Sequence, residues 1–244
     1  MILPEPLRTH APTVGLAGAV LMVLQNATFL GGLAAAATGS AAATTVLEAS
    51  MALDLAGILL LGIAVLGLTL RPGSRSRHGL LAGFLCFAWL ALTIGWRIVG
   101  RDAFADLVLL PAGAVPAFLP GVLWLLAAWI LATVALALAA VLFAVALHRQ
   151  THGTRTSLAW PLAAVLNAAA TILLVGALLA LLGGTVSFPV LATALFAKLV
   201  LVPAFSVPAY ALLARTFLRL GEGAAAAVRR APSASSGGPE SRAP

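Results

Sequence analysis

Residues Ser187 to Tyr210 read SFPVLATALFAKLVLVPAFSVPAY, an apolar run carrying Lys198, the chain's single lysine, near its middle. A helix of about 20 apolar residues crosses a bilayer, so this stretch has the length of a membrane span. A lysine at mid-bilayer costs from about 3 kcal/mol on insertion scales to more than about 10 in simulations, so a chain that places it there must supply a partner or a watery cavity. The stretch therefore points to a membrane fold and poses the functional question at once.

The rest of the chain agrees with that reading. Of 244 residues, 62% are hydrophobic and 9% are charged, a balance that would leave a soluble domain of this size without a polar surface. The expected fold is all-α, a polytopic transmembrane helix bundle with the lipid bilayer as its solvent. Six spans fit, at approximately 12–36, 46–70, 79–100, 120–147, 158–183 and 187–210, within one membrane domain over 1–220. MILPEPLRTH contains Glu5 and two prolines and lacks the basic region of a cleavable signal. The long apolar run after it is read as a retained first span.

Six crossings put both termini on one side. Arg8, Arg71, Arg75, Arg77, Arg149, Arg155, Arg215, Arg219, Arg229, Arg230 and Arg242 fall on that side, and only Arg97 and Arg101 on the other. Basic residues accumulate in cytoplasmic loops, so a cell-membrane protein with cytoplasmic N- and C-termini is expected. Topology and contact with anionic lipid then account for the net charge of +7, which excludes a nucleic-acid reading. The segment 101–120, interrupted by Pro111 and Pro116, is expected to be re-entrant or surface-lying on the outer side. The tail 221–244, rich in Ala, Ser, Gly and Pro, is expected to be disordered cytoplasmic chain.

Polar groups inside the spans are the candidate sites. Gln25, Asn26 and Thr28 sit together near the middle of the first span, suited either to interhelical hydrogen bonding or to a solute path. Thr45-Val46-Leu47-Glu48 opens the second span as a capping-box pattern, which gives Glu48 a structural role beside its candidacy as an acid. Asp54 follows six residues later, about 240° further round the helix, so the two carboxylates do not share a face. Counted from the outer ends of their spans, Asp54 lies about 12 Å deep and Lys198 about 16 Å deep. Opposite charge and similar depth lead us to expect a buried Asp54–Lys198 ion pair. Its alternative is a lysine that snorkels or sits neutral while Asp54 faces water or the Gln25–Asn26 cluster.

In the third span, Gly79-Leu80-Leu81-Ala82-Gly83 is a GxxxG that admits a close neighbour. Trp96 and Arg97 read as an interfacial aromatic beside a basic anchor, Arg97 being also able to pair with Asp102, Asp106 or an anionic ligand. The fourth span, with Trp124 and Trp129, reads as scaffold. The fifth buries Asn167 and Thr171, and the sixth contains Pro203 and Pro208, which leave carbonyls without donors and should bend the helix below Lys198.

Most membrane chemistries lack their residues. Cys86 is the single cysteine, so neither a disulfide nor a thiolate cluster can form within the chain. His10, His78, His148 and His152 all fall at or beyond span ends, where they cannot hold haem or build a zinc site. Six helices rather than seven argue against a retinal Schiff base at Lys198. Phosphate loops, nucleophile elbows, zinc-protease helices and paired magnesium-binding carboxylates are absent. No cofactor and no metal are expected.

HRQTHGTRTSLAWPLAAVLNAAATILLVG, followed by a last span ending LVPAFSVPAYALLARTF, resembles the uncharacterised six-helix integral membrane proteins of bacteria. LATALFAKLVLV is similar to a lysine-bearing helix of copper-resistance membrane proteins of the D type. Both resemblances imply a helical bundle, and neither supplies a catalytic residue. The methionine and histidine clusters that would handle copper are absent.

Three classes of function remain. A transporter or permease would use a polar site around Lys198 and Asp54, with Gln25, Asn26, Asn167, Thr171 and Arg97 as further path candidates, working as a homodimer or beside a partner membrane subunit. A membrane enzyme would act on a lipid or prenyl substrate through Asp54 or Glu48. A structural or regulatory subunit would use Lys198 as an assembly contact.

Overall fold

The computed structural model of the chain describes residues 9–70, 76–109, 115–150 and 158–230. Its elements are α1 Ala11–Ala37, α2 Ala43–Thr69, α3 Arg77–Leu109, α4 Val115–Gln150, α5 Ala159–Leu182, α6 Phe188–Phe196, a π-turn Ala197–Leu201 and α7 Val202–Arg230. Hydrocarbon offers no hydrogen bonds to a backbone, and a helix meets that demand within one segment. Among the described residues, six stretches are long and apolar enough to cross a membrane: Ala11–Ala37, Ala43–Thr69, Arg77–Trp96, Leu123–His148, Ala159–Leu181 and Phe188–Gly223. They match the six expected spans and fit a multi-pass membrane protein.

The helices pack in a ring. Each of α1 to α5 touches the next, and α7 closes the circuit by packing on both α5 and α1. At one end of the bundle, α1 and α5 stop by the same device. Gly39 and Gly184 each take φ +70°. Ser40 N–H donates to the Ala35 carbonyl at 2.9 Å, and Thr185 N–H to the Ala180 carbonyl at 2.9 Å. This left-handed closure needs glycine because a Cβ would strain it.

Small residues set how closely the ring closes. A Cβ added at Gly18 of α1 would lie 2.9 Å from both the Gly57 carbonyl oxygen and the Leu61 amide nitrogen of α2. Gly79 and Gly83, the GxxxG of the third span, lie against Thr69 and Leu66 of α2, so the motif does admit a close neighbour. At the other, arginine-rich end, Phe143 of α4 packs edge-on against Trp160 of α5 and stacked on Phe217 of α7, with centroids 5.8 and 5.9 Å apart. Leu24, Leu131, Leu173 and Phe205 point outward, as side chains with a lipid solvent do.

Four expectations are corrected. Helix α2 starts at Ala43 with Ala42 as its N-cap and no side-chain cap bond, so Thr45 lies inside the helix and the capping box with Glu48 does not form. Residues 101–109 continue α3, and α4 is already helical from Val115, which makes most of 101–120 the ends of two long helices. The sixth span is broken into α6, a π-turn and α7, where a simple kink was expected. Residues 221–230, expected to be disordered, extend α7 to Arg230. The run Ala224–Ala227 explains that extension, since alanine has the highest helix propensity. Residues 231–244 of the tail lie outside the described residues.

Candidate functional site

Within the ring lies a partly open cavity of about 330 Å³ to which all six spans contribute. Its lining includes Gln25 and Phe29 of α1, Ser50 and Asp54 of α2, and Trp89, Thr93 and Trp96 of α3. Trp129 and Thr133 of α4, Asn167 of α5, Lys198 of the π-turn, and Ser206 and Tyr210 of α7 complete it.

The π-turn that carries Lys198 follows from the local sequence. Pro203 has no N–H, so the Leu199 carbonyl loses its ordinary α-helical donor. The helix slips register one step earlier, and Val202 N–H donates to the Ala197 carbonyl, five residues back. That slip takes the usual donor from the Lys198 carbonyl as well. A π-turn holds one more residue than an α-turn, so the faces above and below it are rotated relative to one another.

Helix α5 supplies the lysine's partners. Asn167 and Thr171, four residues apart, share one face of that helix. Lys198 Nζ donates to Asn167 Oδ1 and, at 2.7 Å, to Thr171 Oγ1. The threonine is prepared for this role, because its own hydroxyl donates to the Asn167 carbonyl at 2.8 Å and leaves its oxygen to accept. A lysine ammonium has three N–H donors and no acceptor, so a carboxamide oxygen beside a hydroxyl oxygen is a complementary pair. Nζ also lies 5.4 Å from the centroid of the Trp129 ring, within the range of a cation–π attraction. Trp96 in turn lies against Trp129, with centroids 5.8 Å apart and planes tilted by 30°.

Asp54 lines the same cavity as Lys198, and the lysine's hydrogen bonds to Asn167 and Thr171 run to α5. Those two residues are partners of Lys198 that depth and charge did not predict. The hydroxyls of Ser50, Thr133 and Ser206 donate to carbonyls of their own helices, Leu47 at 2.7 Å, Ile130 at 2.9 Å and Val202 at 2.8 Å, so none is left as an unsatisfied donor.

The structure brings Lys198, Asp54, Gln25, Asn167 and Thr171 together. Asn26 is not part of the group: it is buried, and its Nδ2 donates to the Met22 carbonyl of its own helix at 2.7 Å. Glu48 is exposed and lies off the cavity. Arg97 lies on α3, but its side chain is outside the described residues. Trp129, read as scaffold, and Trp96, read as an interfacial anchor, both belong to the cavity wall instead. One signal could have placed Trp129 there: it falls about 14 Å inside a span expected to start at 120, and tryptophan inside a span, away from the membrane interface, needs somewhere for its indole N–H.

Chemically, the arrangement offers one cation held by neutral acceptors, one carboxylate in the same cavity lining, and aromatic rings beside the cation. Among the described residues, no three His, Cys, Asp or Glu side chains gather to hold a metal. Compared with protein-family models, with curated proteins and with solved structures, the chain matches none.

Proposed function

We propose that this chain is a multi-pass protein of the cell membrane, with both termini cytoplasmic, that takes a small polar solute into its central cavity and moves it across in the manner of a transporter or permease. One observation carries this reading. The cavity belongs to no single helix pair but is walled by all six spans, with Lys198 and Asp54 both in its lining. A site shared by the whole ring can open toward either side when parts of the ring rock against one another, as alternating access requires. The π-turn and Pro203 place a mechanical weak point in α6–α7 beside the lysine.

Acid catalysis on a lipid would rest on Asp54 alone, since Glu48 is exposed off the cavity. The test is flux into liposomes holding the purified protein, using radiolabelled acetate, lactate, glycine, leucine and inorganic phosphate under an imposed membrane potential. Saturable uptake of at least one solute is expected, falling tenfold or more in Lys198→Met. Product formation from a lipid extract without flux of any solute would replace this reading with the enzymatic one.

A further inference from the structure

The last span has two sides. Ala209, Tyr210, Leu213 and Phe217 of α7 are buried against the ring. On the other side Leu201, Phe205, Pro208, Leu212, Arg215 and Arg219 are exposed, and their alternate steps of four and three keep them on one helix face. This outer stripe changes character once. From Leu201 to Leu212 it is apolar over about 16 Å at 1.5 Å per residue, which matches one leaflet, half of a hydrocarbon core about 30 Å thick. Arg215 and Arg219 follow directly, at the arginine-rich end of the bundle.

Both arginines are exposed, and neither forms an ion pair or a hydrogen bond among the described residues. Side chains four residues apart are neighbours on a helix surface, about 6 Å between their Cβ atoms, so two guanidinium groups there can reach one phosphate. The planar fork of arginine fits phosphate oxygens in pairs. We infer that an anionic phospholipid binds along this face, its phosphate bridging Arg215 and Arg219 and its acyl chains lying on Phe205, Pro208 and Leu212. A choline head would bring its own cation to two arginines, so a head of net negative charge is selected. A second copy of the chain suits the face less, because a two-fold axis along the membrane normal would set both arginine pairs at one level, where like charges repel.

Lipid at this face rests on the helices lying in a bilayer and is independent of what the central cavity carries. In the test, the purified protein in detergent is mixed with equal amounts of dioleoyl phosphatidylglycerol and dioleoyl phosphatidylcholine, and bound lipid is read by native mass spectrometry. Phosphatidylglycerol should be retained about fivefold or more over phosphatidylcholine. Arg215→Gln combined with Arg219→Gln should abolish that preference, whereas Arg77→Gln, an exposed arginine of α3, should keep it. Excess glycerol 3-phosphate should not displace the lipid, since it lacks the chains. Equal retention of the two lipids, or an unchanged preference in the double variant, would overturn the site. Displacement by glycerol 3-phosphate would assign the arginines to free phosphate instead. A disulfide-linked dimer of Phe205→Cys in phosphatidylglycerol bilayers would give the face to a second copy and equally overturn the lipid site. Protein that stays in solution after detergent removal would sink the membrane reading itself, which separates that failure from the others. The comparison of lipids on unsubstituted protein holds whether or not the variants fold.

Discussion

Lys198 is held by neutral acceptors, and that choice has consequences for its substitution. A counter-carboxylate in direct contact would neutralise the ammonium and leave it nothing to offer, whereas Asn167 and Thr171 orient it and leave its charge in place. Truncating one acceptor should therefore cost the stability of a charged donor left short of a partner, about 1 to 3 kcal/mol. We expect Lys198→Met and Asn167→Leu to couple by about 0.5 to 3 kcal/mol in a double-mutant cycle of thermal unfolding in detergent, because the two side chains touch. Lys198→Met paired with Asp54→Asn measures the second relation in the same way, and additive losses there would rule out a direct contact between the carboxylate and the lysine. Equal coupling in both cycles would show that the carboxylate and the lysine meet directly.

At the scale of helices, two features decide whether the ring assembles and bends. Gly18 brings α1 against the backbone of α2, which cannot move aside as a side chain can. Gly18→Leu should thus lower stability by about 1 to 3 kcal/mol. Gly31→Ala lies in the same helix with nothing within 4 Å of the added Cβ, and it should be neutral or stabilising by up to about 1 kcal/mol. Comparing their unfolding midpoints separates close packing from helix propensity, and similar losses in both would refute the packing account. The second feature is the π-turn. Pro203→Ala returns an amide that can bond to the Leu199 carbonyl and draw 197–201 toward α geometry. The variant should unfold at a higher temperature and, under the transport proposed above, carry solute more slowly; unchanged flux would mean that the turn serves packing alone.

For the whole molecule, the arginine distribution and the ring make one joint statement about orientation. Antiparallel neighbours place the ends of α2, α4 and α7 beside the start of α1, and this is the end to which the sequence assigns eleven arginines, Arg8 through Arg242, against Arg97 and Arg101 at the other. Reporter fusions after Arg75 and Arg155 should read cytoplasmic, and fusions after Thr45 and Gly184 external. Opposite signs at any two of these positions would overturn that topology.

By itself, the chain's sequence determined the all-helical class, six stretches long and apolar enough to cross a membrane, and the place of Lys198 and Asp54 within two of those stretches. Those properties are sums over consecutive residues: twenty apolar positions make a crossing wherever the other helices lie. Which helices are neighbours, that Asn167 and Thr171 hold the lysine, and that Trp129 and Trp96 line its cavity were decided only by tertiary structure. The physical reason is that these spans are apolar on every side, so no stripe of hydrophobic residues marks an inward face as it would in a soluble bundle. Lipid is as apolar as leucine, and the rotation of each helix is settled by where small residues permit contact and where buried polar groups find one another. Asn26 shows the limit most clearly: it sits one residue from Gln25, yet it turns to its own backbone while Gln25 faces the cavity, a difference of about 100° around a helix axis that depends on how α1 is rotated in the ring.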